Sequence, residues 1–170
     1  MERHGALNWP YGYKAYDHTD TDFDEAPVYD WIEINQVGTN LNLTDDSVIN
    51  DVQLGFDFKY FGQSYSSLTV SSNGWASFEP CQLAHFWNFS IPNPMGPSGM
   101  LAPFMDDLDD DDGNEPFNIY SYNDGNGQFI LQWDDVSNGE DDQNCPDCIK
   151  ETFQMILRDP AVYQTSTGDG

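Results

Sequence analysis

Six carboxylates fall within seven residues at Asp106-Asp107-Leu108-Asp109-Asp110-Asp111-Asp112. Carboxylates at that density repel one another, and the ion that best relieves such crowding is a hard divalent cation. Calcium takes six to eight oxygen ligands at about 2.3–2.6 Å, a demand that side chains on a turning loop can meet. Asp106, Asp107, Asp109 and Asp111 form the first expected ligand pool, with Gly113-Asn114 letting the chain turn back. The Asp-x-Asp-x-Asp-Gly calcium loop is not matched, because Leu108 stands at its first ligand position. Asp17, Asp20 and Asp22 form a second, sparser candidate. The plain alternative for both is a solvated acidic loop, which most charge runs are.

A second chemistry is carried by sulfur. Cys145-Pro146-Asp147-Cys148 is a C-x-x-C motif, and Cys81 is the odd thiol. Outside the cell, Cys145 and Cys148 are expected to pair as a disulfide. Zinc is the alternative, with Cys81, His85, Cys145 and Cys148 as a Cys₃His set. A thioredoxin-like role needs a βαβ context, and none is evident. Catalysis has little to stand on. His4, His18 and His85 lie in loop-like stretches, and no nucleophile elbow, zinc-protease helix or phosphate loop is present. Asp and Glu are too abundant for a glycosidase pair to be informative. Trp87, beside Phe86 and Phe89 in a proline-rich stretch, is the best platform for stacking a sugar. Trp75 and Trp133 lie in strand-like runs and are expected in the core.

The elements that must hold these residues are read from period-2 patterns. Leu54, Phe56, Phe58 and Tyr60 alternate with small or polar residues, then Gly62 marks a turn into a run carrying Leu68, Val70, Trp75 and Phe78. Asn73-Gly74 breaks that run as a turn or bulge. The hairpin Phe117–Tyr122 and Gln128–Val136 flanks Asn123-Asp124-Gly125-Asn126-Gly127, and Glu151–Arg158 follows as a further strand. Shorter strands are expected at Tyr11–Tyr16 and Val28–Ile34, with a buried run at Met100–Met105. Gly38–Asn50 reads as a polar loop. Pro80, Pro92, Pro94 and Pro97 cannot donate to a ladder, so Glu79–Gly99 is expected to cross between sheets. Many short strands and no helical period predict an all-β fold of two antiparallel sheets packed face to face, with long loops and little or no helix.

At 170 residues the chain suits one domain, with residues 1–10 as an arm or linker and 11–170 as the β-sandwich. Aromatics make up 15% of it, which separates it from disordered acidic chains. Five Lys or Arg stand against 30 Asp or Glu, a formal charge of −25. That field repels phosphate backbones and anionic membranes, so nucleic-acid binding is excluded as a reading. No apolar run is long enough to insert in a membrane, and Met1–Pro10 lacks the apolar centre of a signal peptide. The chain therefore reads as either cytosolic or a fragment of a longer secreted precursor, and the turn-like ending Thr165–Gly170 favours the fragment.

The series FDFKYFGQSY, SSNGWASF and LAPFMDDLD, followed by a hairpin, resembles the nidogen-type extracellular β-sandwich. YGYKAYDHTDTDFDEAPVYDWIEI, NFSIPNPMGPSGMLAPFMDDL and the closing ETFQMILRDP with TSTGDG resemble, more narrowly, a module of large secreted bacterial proteins. Such modules stand beside gingipain-like peptidase, adhesive or sorting domains. The resemblance covers the chain from Tyr11 onward and implies a non-catalytic, structural or adhesive module at the cell surface or outside the cell. It implies partners among other protein modules or further copies of itself, and a jelly-roll or nidogen-like sandwich lacking a final strand. The rival reading is a carbohydrate-binding module; a hydrolase accessory or catalytic domain stands behind both.

Overall fold

The computed structural model describes residues 13–109, 117–138 and 150–170. Among them there is no helix, and the strands assemble into two antiparallel sheets. The first contains β2 (Val48–Tyr60), β3 (Gln63–Ser71), β4 (Ala76–Ser77) and β5 (Met100–Leu101), paired in that order. The second runs β1 (Thr39–Asn40), β7 (Ile119–Asn123), β8 (Gln128–Asn138), β6 (Leu108–Asp109), with β9 (Glu151–Arg158) also paired to β8. The all-β two-sheet sandwich expected from the alternation is the observed architecture.

Alternation explains which side chains meet between the sheets. On β8, Phe129, Leu131 and Trp133 point inward, against Leu54, Leu68 and Val70 of the first sheet. Ile119, Leu108 and Leu157 complete the contact from β7, β6 and β9. Phe153 stacks on Trp133 at 4.9 Å with 13° between the rings, as their paired positions require. Burying each such side chain contributes about 1.5–3 kcal/mol, so this layer is the main source of stability. Two hydrogen bonds also stitch the sheets. The Trp133 indole donates to the Ser71 carbonyl (3.1 Å), and the Asn123 amide donates to the Leu54 carbonyl. The second reaches Leu54 at a bulge where Gly55 has φ 83°, and a Cβ on Gly55 would collide with that amide.

Trp75 and Phe78 are buried as expected, and Phe78 stacks on Phe58 at 5.3 Å. Asn73-Gly74 does turn the chain between β3 and β4. Gly74 has φ 73°, and a Cβ there would lie 1.7 Å from the Phe104 carbonyl oxygen, so no other residue fits without moving backbone.

Five expectations are corrected. Residues 13–16 form no strand, and Tyr11 and Gly12 lie outside the described residues. Val28–Ile34 forms none either: Val28 and Tyr29 are exposed, and the stretch from Ile32 to Asn35 instead lies over the outer face of β8 and β9. The proline-rich Glu79–Gly99 segment, named the crossover for the way it passes from β4 over to β5, does not cross between sheets. It leaves β4 and returns to β5, which pairs with β4 (Ala76↔Leu101, Ser77↔Met100), and only the chain after β5 reaches the second sheet. The buried run Met100–Met105 shrinks to two strand residues, with Phe104 exposed. Two further strand pieces, β1 and the start of β2, emerge from the expected loop Gly38–Asn50.

Candidate functional site

Asp106, Asp107 and Asp109 of the acidic run lie at one corner of the sandwich, where three segments meet. Leu108 is fully buried, so β6 fixes its neighbours, and Asp106, Asp107 and Asp109 project around it. The loop before β2 brings Asp45 and Asp46 to the same corner. Asn73, fully buried in the β3–β4 turn, joins the pieces: its amide donates to Asp46 Oδ1 (2.8 Å) while its oxygen accepts the Leu108 amide (3.1 Å). Asp106 Oδ1 accepts its neighbour's amide, from Asp107 (2.9 Å), and the Asn88 side chain from the crossover (3.4 Å).

The charges feel one another. Asp107 is pushed above the usual carboxylate range, first by partial loss of hydration and then by the charges of Asp46, Asp109 and Asp106. Asp45 is raised in the same way, by lost hydration and by Asp46, Asp109 and Asp107. Both residues reach solvent, so the lost hydration comes from crowding neighbours rather than from the core. Asp111 lies outside the described residues. Among the described residues no three His, Cys, Asp or Glu side chains are arranged to hold a metal ion.

The second acidic candidate is arranged differently. Asp17 Oδ1 accepts the Thr19 amide (2.7 Å) and hydroxyl (2.6 Å), and Asp20 Oδ2 accepts the Asp17 amide (2.9 Å). These bonds to Thr19 hold Asp17 below the usual range. Asp22 follows in the same exposed turn. Oxygens already engaged by local donors are poor starting material for an ion.

Cys145 and Cys148 lie outside the described residues, so neither the disulfide nor the four-residue zinc set is placed here. Of the zinc set, Cys81 Sγ lies 3.3 Å from the Leu83 carbonyl, and the His85 ring packs between Trp75 and Phe89. The Trp75 indole donates to the His85 carbonyl (2.8 Å), which pins the crossover to the first sheet.

On either side of that pin the crossover turns apolar side chains outward. Leu83, Trp87, Ile91 and Met95 are 64, 73, 51 and 75% exposed. Trp87 meets Phe86 with ring centres 5.7 Å apart and 40° between the rings. Uncharged apolar groups at that exposure are out of character for a chain of charge −25.

The outer face of β8 and β9 holds an arrangement absent from the sequence reading. Gln132, fully buried, accepts the Ile34 amide (3.3 Å) and the Gln154 side chain (2.8 Å), and donates to Glu33 Oε1 (2.7 Å). Gln154 in turn bonds both backbone groups of Ile32. Glu33 also accepts from the Asn35 amide (3.0 Å) and the Trp31 indole (3.1 Å). The Gln132, Asn35 and Trp31 donors together hold its carboxyl below the usual range.

A two-sheet antiparallel sandwich with a crowded acidic corner and an apolar crossover defines an all-β module. The matching family model makes this specific. It is described as NIDO related and covers residues 22–159, so the chain belongs to the NIDO-related family. No curated protein and no solved structure matches the chain. Family membership suggests an extracellular module. No helix among the described residues is long and apolar enough to cross a membrane.

Proposed function

We propose that this chain is a non-catalytic structural or adhesive module of a larger extracellular assembly, attaching through its proline-rich crossover to other protein modules or to further copies of itself. The observation that carries this reading is the exposure of Leu83, Trp87, Ile91 and Met95 along one loop that is pinned at its base by Trp75. Apolar groups held at the surface gain most by being covered, and a neighbouring protein surface covers them at about 25 cal/mol per Å² removed from water. Large secreted bacterial proteins with peptidase or sorting domains are the setting that the sequence resemblance suggests.

The acidic corner supports a second element, stabilisation by calcium. Asp45 and Asp107, on two segments, are both raised by lost hydration and by the neighbouring charges, Asp46 and Asp109 for each, and Asp111 follows Asp109 by two residues. A divalent ion turns that repulsion into coordination.

The attachment is tested by sedimentation velocity over a concentration series, comparing the wild type with a Trp87→Ala/Met95→Ser variant. The reading expects association in the wild type and its loss in the variant. Carbohydrate binding is the second reading, favoured by the exposure of Trp87 alone. A protein monomeric throughout that binds a glycan array in a Trp87-dependent way would replace the first reading with the second.

A further inference from the structure

The hairpin joining β2 to β3 turns on two residues, Phe61 and Gly62, with φ 46° and 78°. Turns of that geometry favour Asn-Gly, and an aromatic residue in the left-handed region is strained by roughly 1–2 kcal/mol. Something must hold Phe61 there. Its ring stacks on Tyr13 at 4.6 Å and meets Tyr60 edge-on at 4.7 Å, and its amide donates to the Tyr13 hydroxyl (3.1 Å).

Tyr13 is held in turn by Asp169. Asp169 is 4% exposed, the one buried residue between Gln164 and Gly170. Its Oδ2 accepts the Gly62 amide (2.9 Å) and the Tyr13 hydroxyl (3.4 Å), and Oδ1 faces Lys59 Nζ at 3.4 Å. The backbone around it is seated as well. The Gly170 amide donates to the Lys59 carbonyl (2.7 Å), Thr165 Oγ1 bonds the Asp169 carbonyl, and Gly170 lies so close to the Phe58 ring that a Cβ would overlap it. The Tyr13 phenol is pushed up to about 12, by burial first and with help from the Asp169 charge and hydrogen bond.

Tyr13, Tyr60 and Phe61 form one wall of an open groove of about 790 Å³; the opposite wall is the stretch from Ile91 to Met100 with Phe89. One face of the crossover therefore borders residues whose placement traces back to Asp169. We propose that the segment Thr165–Gly170 acts as a latch. Asp169 docked on the hairpin tip positions Tyr13 over Phe61 and so forms the groove beside the crossover, and release of the segment dismantles that wall. Asp169 is a positioning residue here: it touches the tip and Tyr13, not the groove itself. The consequence for binding rests on the proposed role of the crossover face; the latch does not.

Amide hydrogen exchange on the full chain, read by NMR, tests it without any partner. Phe61 donates to Tyr13 and not to Asp169, so its exchange reports whether Tyr13 stays docked when Asp169 is altered. In Asp169→Ala the Phe61 and Gly62 amides should both exchange at least about tenfold faster, while Leu131, paired with Ser121 and Met155 within the second sheet, is unchanged. The cross-peak between the Tyr13 and Phe61 rings should disappear. Asp169→Asn keeps an acceptor for Gly62 but removes the charge facing Lys59, and serves if the alanine variant does not fold; it should accelerate Phe61 less, with Leu131 again unchanged. Unaltered Phe61 exchange in a folded Asp169 variant overturns the latch, whether or not Gly62 responds. Sedimentation of the same variant then reports the consequence: retained association with an open latch would sever the latch from the crossover while leaving attachment standing.

Discussion

Asp107 and Glu33 are both exposed acidic residues outside the strands, yet their surroundings act in opposite directions. Around Glu33 the neighbours are donors: the Gln132 amide, the Asn35 backbone and the Trp31 indole. Around Asp107 the neighbours are other carboxylates, Asp46, Asp109 and Asp106. A carboxylate facing donors is a fastener, and it works best charged. A carboxylate facing its own kind is a cost at neutral pH, and it marks where a cation would be welcome. Formal charge alone, 30 acidic residues against five basic ones, does not separate the two cases.

Removing the Trp75 side chain should have the largest effect. Trp75 is fully buried directly after Gly74 and binds the crossover through its indole, so Trp75→Ala is expected to cost about 3–5 kcal/mol in chemical denaturation. A midpoint close to wild type would mean that Trp75 neither fills the core nor holds the crossover. Next come the two buried amides that organise the compared regions. Asn73→Leu strands the Leu108 amide and leaves Asp46 without its Asn73 donor, while Gln132→Leu strands the Ile34 amide and removes one acceptor of the Gln154 side chain. Each should cost roughly 1–3 kcal/mol. Loss of Gln132 should also free the Trp31–Gly38 segment to proteolysis, which loss of Asn73 should not.

The smallest effects carry the sign of the contrast. Glu33 has a lowered folded-state value, so its contribution is present above its unfolded value near 4.3 and fades as pH falls through the folded one. Asp45 and Asp107 have raised folded-state values, so the folded protein takes up their protons first and regains stability as pH falls toward the unfolded value near 3.9. Melting temperature against pH in Glu33→Gln should therefore show a shallower loss on the acid side. Asp107→Asn, in the presence of chelator, should melt slightly higher than wild type at pH 7. A lower melting temperature there would show that Asp107 faces donors rather than charges.

Much of the sandwich was legible because its strands state their own burial. Glu151–Arg158 forms β9 over its full expected length, and the Phe61-Gly62 and Asn123–Gly127 turns sit between strands that alternate cleanly. Val28–Ile34 alternates too, but no neighbouring strand edge receives it. Side-chain amides of Gln132 and Gln154 take the place of ladder partners, and nothing local announces a bond 98 or 122 residues away. The prolines of Glu79–Gly99 correctly ruled out a strand but said nothing about which sheet the chain would rejoin. Asp106, Asp107 and Asp109 stood out by density, whereas Asp45 and Asp46 join them only through Asn73, a contact made by folding. Asp169 lay within a segment readable only as a turn; its role depends on a hairpin tip more than a hundred residues earlier.

The contrast between fastened and crowded carboxylates is tested most directly by thermal melting of the wild type and of Asp107→Asn/Asp109→Asn, each in millimolar calcium and in chelator. An ion bound only by the folded state adds RT ln(1 + [L]/Kd), about 2.7 kcal/mol at a hundredfold excess over Kd. The wild type should melt higher in calcium than in chelator, and the double variant should melt at one temperature in both. Equal melting temperatures for the wild type in calcium and in chelator would contradict the account and leave the corner a solvated acidic loop.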